Sequence, residues 1–93
     1  MDKEKAAAVL AEQLGHYRNR PYDVLKGMVG QVDAFEVTTP DGSAYQIEVQ
    51  VFWDDKPGGD IRVLGAIDDG GWRFFVPLCD DFLMTPDGRF LGE

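Results

Sequence analysis

One cysteine, one histidine and one serine occur in 93 residues, and each scarcity removes a class of chemistry. Cys79 alone cannot close an internal disulfide, so a reducing, cytoplasmic location is the simple expectation. Ser43 belongs to a turn and His16 to an amphipathic stretch far from it in sequence, which leaves nucleophilic catalysis without its nucleophile–base pair. Cys79 precedes Asp80 and Asp81; neighbouring carboxylates raise a thiol pKa and weaken it as a nucleophile. No Cys/His ligand spacing and no glycine-rich phosphate loop is present. The expectation is a non-enzyme with no catalytic residues, no bound metal and no cofactor.

Long apolar runs are also missing. No stretch approaches the roughly 18 residues that a membrane span needs, and the charged opening Met1-Asp2-Lys3-Glu4-Lys5 does not resemble a secretory signal. Bases are few: nine against seventeen acids, for a net charge of −8. Residues 1–31 hold five bases and four acids, whereas residues 32–93 hold four bases and thirteen acids. Such a second part repels phosphate backbones and anionic membranes, which argues against nucleic-acid and membrane partners. It attracts a basic protein or a cation; the plainer reading is that acidic turns keep a small domain in solution.

What is present divides the chain into one helical and one strand-forming part, within a single domain spanning residues 1–93. Residues 3–17 place Leu10, Leu14 and Tyr17 at helical spacing, flanked by Ala6, Ala7 and Val9, with Asp2 and Glu4 at the start and Arg18 and Arg20 at the end. Pro21 stops that helix. Residues 22–29 predict a second short helix through Tyr22, Leu25, Met28 and Val29, ended by Gly30. From Val32 onward the period falls to two: Tyr45, Ile47, Val49, Val51 and Trp53 alternate with Ala44, Gln46, Glu48, Gln50 and Phe52. Phe35 and Val37, then Ile61, Val63 and Ile67, then Trp72, Phe74, Val76 and Leu78 extend the same face.

Four turn signals order these strands. Thr39-Pro40-Asp41-Gly42 recurs as Thr85-Pro86-Asp87-Gly88, with Lys56-Pro57-Gly58-Gly59 and Asp68-Asp69-Gly70-Gly71 between. A three-residue loop closed by Gly42 sets Val37 opposite Tyr45 and Phe35 opposite Ile47. Closure of residues 54–60 with Trp53 opposite Ile61 sets Val51 opposite Val63. A two-residue Asp69-Gly70 turn sets Ile67 opposite Trp72 and Val63 opposite Val76. At the end of the chain, Phe82-Leu83-Met84 either pairs with Arg89-Phe90-Leu91 as a hairpin or, capped by Asp80, forms one helical turn; the hairpin is the preferred reading. The fold class is α+β: an N-terminal helix and a short second helix packed on an antiparallel meander of four to six strands.

Two regions carry candidate protein-binding residues. Alternate turns of a meander share one end of the sheet, so Asp54, Asp55 and Asp60 neighbour Asp80 and Asp81 there, an acidic end suited to a cationic partner or to plain solvation. On the second sheet face the expected rows are Glu48–Ala66–Arg73, Gln50–Leu64–Phe75 and Phe52–Arg62–Pro77. They gather Phe52, Arg62, Leu64, Arg73 and Phe75 in a partly apolar patch of interface-like composition. The competing reading is that residues 22–29 or the terminal hairpin fold over this face as a second small core.

The stretch Gly65-Ala66-Ile67-Asp68-Asp69-Gly70-Gly71-Trp72-Arg73, with Val76-Pro77-Leu78 after it, resembles a segment of small uncharacterised bacterial domains over the last third of the chain. The resemblance implies an α+β domain without an assigned activity and carries over no site residues. The functional expectation is an acidic protein-interaction module, immunity- or inhibitor-like in charge and size, able to bind another protein, basic in character, or to self-associate through the second sheet face. The alternative is a small-ligand binder or minor enzyme with a pocket between helix and sheet lined by Tyr17, Tyr45, Trp53 and Trp72.

Overall fold

Asp2 starts the first helix as its charge predicts. Its side chain accepts from the Lys5 amide at 3.1 Å and caps α1, Lys3–Arg18. In this computed structural model, which describes residues 2–69 and 77–92, α1 buries Ala6, Val9, Leu10, Leu14 and Tyr17. Ala7, expected at the flank of that stripe, faces solvent instead. Pro21 precedes α2, Tyr22–Gly27, whose Leu25 is fully buried. Met28 caps α2, and Gly30 takes the left-handed φ of +91° that lets its amide reach the Val51 carbonyl at 2.9 Å.

Five antiparallel strands follow in meander order: β1 Val32–Thr38, β2 Ala44–Trp53, β3 Ile61–Asp68, β4 Leu78–Met84 and β5 Phe90–Leu91. The first two registers are those the turns predict. Val37 faces Tyr45 and Phe35 faces Ile47; Trp53 faces Ile61 and Val51 faces Val63. The repeated tetrapeptide makes the same turn twice. Thr39 and Thr85 donate backbone bonds to Ser43 and Arg89, each at 2.8 Å, and Gly42 and Gly88 sit at φ of +88° and +84°. In both copies the threonine hydroxyl donates to the Asp two residues on.

The third register differs from expectation. Ile67 faces Leu78 rather than Trp72, and Val63 faces Phe82 rather than Val76. Trp72, Phe74 and Val76 lie outside the described residues. The displacement is six residues, an even number, so β4 presents the same parity of side chains to the core and the alternation is satisfied equally well. The terminal hairpin forms across the second Thr-Pro-Asp-Gly turn, with Leu83 facing Leu91 and Met84 facing Phe90. It is a continuation of the sheet beyond β4, so Asp80 is a strand residue and not a helix cap.

Both helices contribute to one core with the odd-numbered side chains of β2 and β3 and with Phe82 and Met84. A fully buried Leu or Ile contributes roughly 1.5–3 kcal/mol of transfer free energy, and eight large side chains here are under 2 % exposed. Gly65 marks the closest approach of α1. A Cβ there would stand 2.9 Å from Leu10 Cδ1 and 3.0 Å from Leu14 Cδ2. Arg18 lies over the rings of Phe82 and Phe90, 4.8 and 5.2 Å from their centroids, and the two rings meet edge to face. That stack fastens the short last strand to the end of α1.

Candidate protein-binding face

Among the described residues nothing packs over the other side of the sheet. Val32, Ala34, Glu36 and Thr38 of β1 share it with Ala44, Gln46, Glu48, Gln50 and Phe52 of β2. Arg62, Leu64, Ala66 and Asp68 of β3, then Cys79, Asp81 and Leu83 of β4, complete it, with Leu91 beyond. None of these residues is buried, whereas the opposite face holds Tyr45, Ile47, Val49, Val51, Ile61, Val63 and Ile67 at 3 % exposure or less. Neither residues 22–29 nor the terminal hairpin makes a second core here. Leu25 is spent on the first core, and the hairpin extends the sheet in its own plane.

Three rows cross this face, and their β4 members correct the expected ones. Glu48 and Ala66 meet Cys79, not Arg73; Gln50 and Leu64 meet Asp81, not Phe75; Phe52 and Arg62 meet Leu83, not Pro77. The cause is the six-residue displacement of β4. Arg73 and Phe75 lie outside the described residues. Phe52 and Leu64 do lie in adjacent rows, and the same displacement adds Leu83 beside them. Val32 and Leu91, 56 % and 50 % exposed, complete an apolar end. Val32 was readable from the first hairpin, because the register that pairs Phe35 with Ile47 also pairs Val32 with Gln50. Leu83 and Leu91 were hidden behind the misplaced strand.

The acids are distributed differently from a single acidic end. Asp81 lies within β4 and shares the open face with Arg62, while Asp80 projects to the core-facing side opposite Gly65, where it remains exposed. Arg62 joins Asp54 to Asp81. Its Nε donates to Asp54 Oδ1 at 2.9 Å, its second terminal nitrogen reaches the same oxygen at 2.8 Å, and the other terminal nitrogen is paired with Asp81. The Asp54 carboxylate first, and Asp81 after it, raise the pKa of the guanidinium. Asp60 closes the β2–β3 loop through its carbonyl, which accepts from the Asp54 amide at 3.0 Å, and Asp55 is exposed on that loop. Among the described residues no three His, Cys, Asp or Glu side chains are grouped to hold a metal ion.

At the other end of the face the carboxylates are held by neutral donors. Gln46 Nε2 donates to Glu36 at 2.8 Å and Gln50 Nε2 to Glu48 at 3.0 Å. An amide fixes a carboxylate without cancelling its charge. Between them lies a shallow open hollow of about 310 Å³ lined by Ala34, Gln46, Glu48, Ala66, Asp68 and Pro77, with Ile47 at its base.

The side chains expected around a helix–sheet pocket are not arranged as one. Tyr17 and Tyr45 are packed into the core at 4 % and 3 % exposure, and the Tyr17 hydroxyl donates to Asp33 at 2.6 Å. A hollow of about 330 Å³ beside Tyr45 is lined by Asp2, Lys5, Ser43, Ala44 and Asp69, away from Tyr17 and Trp53. Trp72 lies outside the described residues. Lys5 donates to Ser43 Oγ at 3.3 Å and is ion-paired with Asp41, so the contact supplies the serine with a donor rather than a base. His16 is exposed on α1. No described helix is long and apolar enough to cross a membrane.

Comparison of the chain with protein-family models, with curated proteins and with solved structures finds no match in any of the three.

Proposed function

We propose that this protein is a non-enzymatic interaction module that docks another protein on the open face of its sheet. The observation that supports the reading is the composition of a face without one buried side chain. Phe52, Leu64, Leu83 and Leu91 stand together beside Arg62, and adjoining apolar side chains with an aromatic ring and an arginine are features of protein interfaces. The described serine, histidine and cysteine lie apart on different elements, which favours binding over catalysis.

The test is affinity capture from the native host with three forms of the protein. Leu64→Asn removes the apolar centre of the face, and Val24→Asn changes an exposed apolar residue on α2, 47 % exposed and away from it. A partner retained by the unaltered protein and by Val24→Asn, and lost by Leu64→Asn at unchanged circular dichroism, is the expected result. Equal retention by all three forms removes the face from consideration.

A further inference from the structure

Building on that docking reading, we infer that the partner is a cationic polypeptide seated on the open face in one orientation, its apolar side chains on Phe52, Leu64 and Leu83 and its lysines or arginines over Glu36 and Glu48. The argument is the unequal distribution of charge along β2 and β3. At the end where β2 finishes, the acids Asp54 and Asp81 share Arg62, so three charged groups carry one net negative charge among five apolar side chains. At the opposite end Glu36 and Glu48 are both exposed, and among the described residues each is bound by an amide, Gln46 and Gln50.

Glu36 shares a row with Gln46, about 20 Å from Phe52 along β2, and Glu48 stands between them, about 14 Å from Phe52. Both spans exceed one screening length of roughly 8 Å at physiological salt, so a partner senses a gradient along the face. The whole protein is acidic, which draws basic chains from a distance; the gradient along the face then sets their direction. A ladder of eight residues across four strands covers roughly 500 Å² in projection, less than the roughly 800 Å² each side of a standard interface contributes. A small footprint with strong charge describes a transient complex governed by its association rate and sensitive to salt.

The probe is a pair of fourteen-residue peptides of equal composition, one with its leucines at one end and its lysines at the other, one with the two alternating. Each is titrated into the isotope-labelled protein and followed by amide chemical shifts. The block peptide is expected to bind about tenfold more tightly than the alternating one, to shift Val32, Glu36, Glu48, Leu64 and Leu83, and to weaken about tenfold in the Glu36→Gln/Glu48→Gln double variant. Equal binding of both peptides, shifts concentrated on the Asp41, Asp55 and Asp87 loops, or an unaffected double variant overturns the inference. The two readings separate cleanly in the capture assay. A native partner lost by Leu64→Asn yet retained by Glu36→Gln/Glu48→Gln keeps the docking face and discards the cationic, oriented partner.

Discussion

Tyr17, the last residue but one of α1, donates a 2.6 Å hydrogen bond to Asp33 on the edge strand β1. The contact ties the helix to β1, one of the two edge strands of the sheet. Burial, then the Asp33 carboxylate, pushes the tyrosine pKa up to about 12 from its ordinary 10.0. A folded-state pKa above the unfolded one means that the native protein holds the proton more tightly. The associated stability is therefore present below pH 10 and lost as pH rises toward 12. Urea unfolding across that window is expected to show the decline, and Tyr17→Phe is expected to flatten it while costing about 1–2 kcal/mol at neutral pH, since Asp33 then loses its donor.

Gly65 has no room for a side chain beneath Leu10 and Leu14. Gly65→Val is expected to destabilise by about 2 kcal/mol, within the usual range for overpacking, against the gain in strand propensity that a valine brings elsewhere. Gly65→Ala is expected to cost less, because the nearest atoms are methyl ends that can move. Denaturant midpoints of the two variants give the comparison.

The twin turns provide a matched experiment. Gly42→Ala and Gly88→Ala impose the same strained φ, worth about 1–2 kcal/mol each. Gly42 joins two strands that share a seven-pair ladder, whereas Gly88 serves a two-residue strand. The Gly42 substitution is expected to lower global stability by the full amount. The Gly88 substitution is expected to appear mainly as faster amide exchange in residues 85–92.

Arg62 is half-exposed, so the pair of ion contacts it makes is worth little to the fold. Arg62→Gln is expected to leave the denaturant midpoint nearly unchanged. Its effect on binding is larger in kind. Freed of their shared cation, Asp54 and Asp81 make the apolar end more acidic, and the preference for the block peptide over the alternating one is expected to narrow in the same titration.

The helices, the first two hairpins and the terminal hairpin were legible because each rests on local chemistry: an aspartate cap, a proline stop, a glycine that must turn left, and alternation that reverses if it slips by one. The third hairpin was not. Trp72, Phe74, Val76 and Leu78 continue into Asp80, Phe82 and Met84 with unbroken parity, so alternation cannot say which stretch meets Ile67 and Val63. Asp80 on the core-facing side was the one dissonant residue, and it is tolerated because it stays in solvent. The acidic end and the predicted rows inherit that displacement, so the turn pattern puts Asp81 in a loop although it lies in β4 on the open face beside Arg62.

Asp33 bears on a hazard that every open sheet carries. Strand β1 is an outer rim, and a bare rim invites copies of the same chain to add themselves, strand on strand, into fibrils. An arriving strand would have to enclose the carboxylate that holds Tyr17 and align with Glu36 as well, a desolvation and repulsion that spoil the template. Growth sideways is thereby discouraged, and encounters are left to the flat of the sheet.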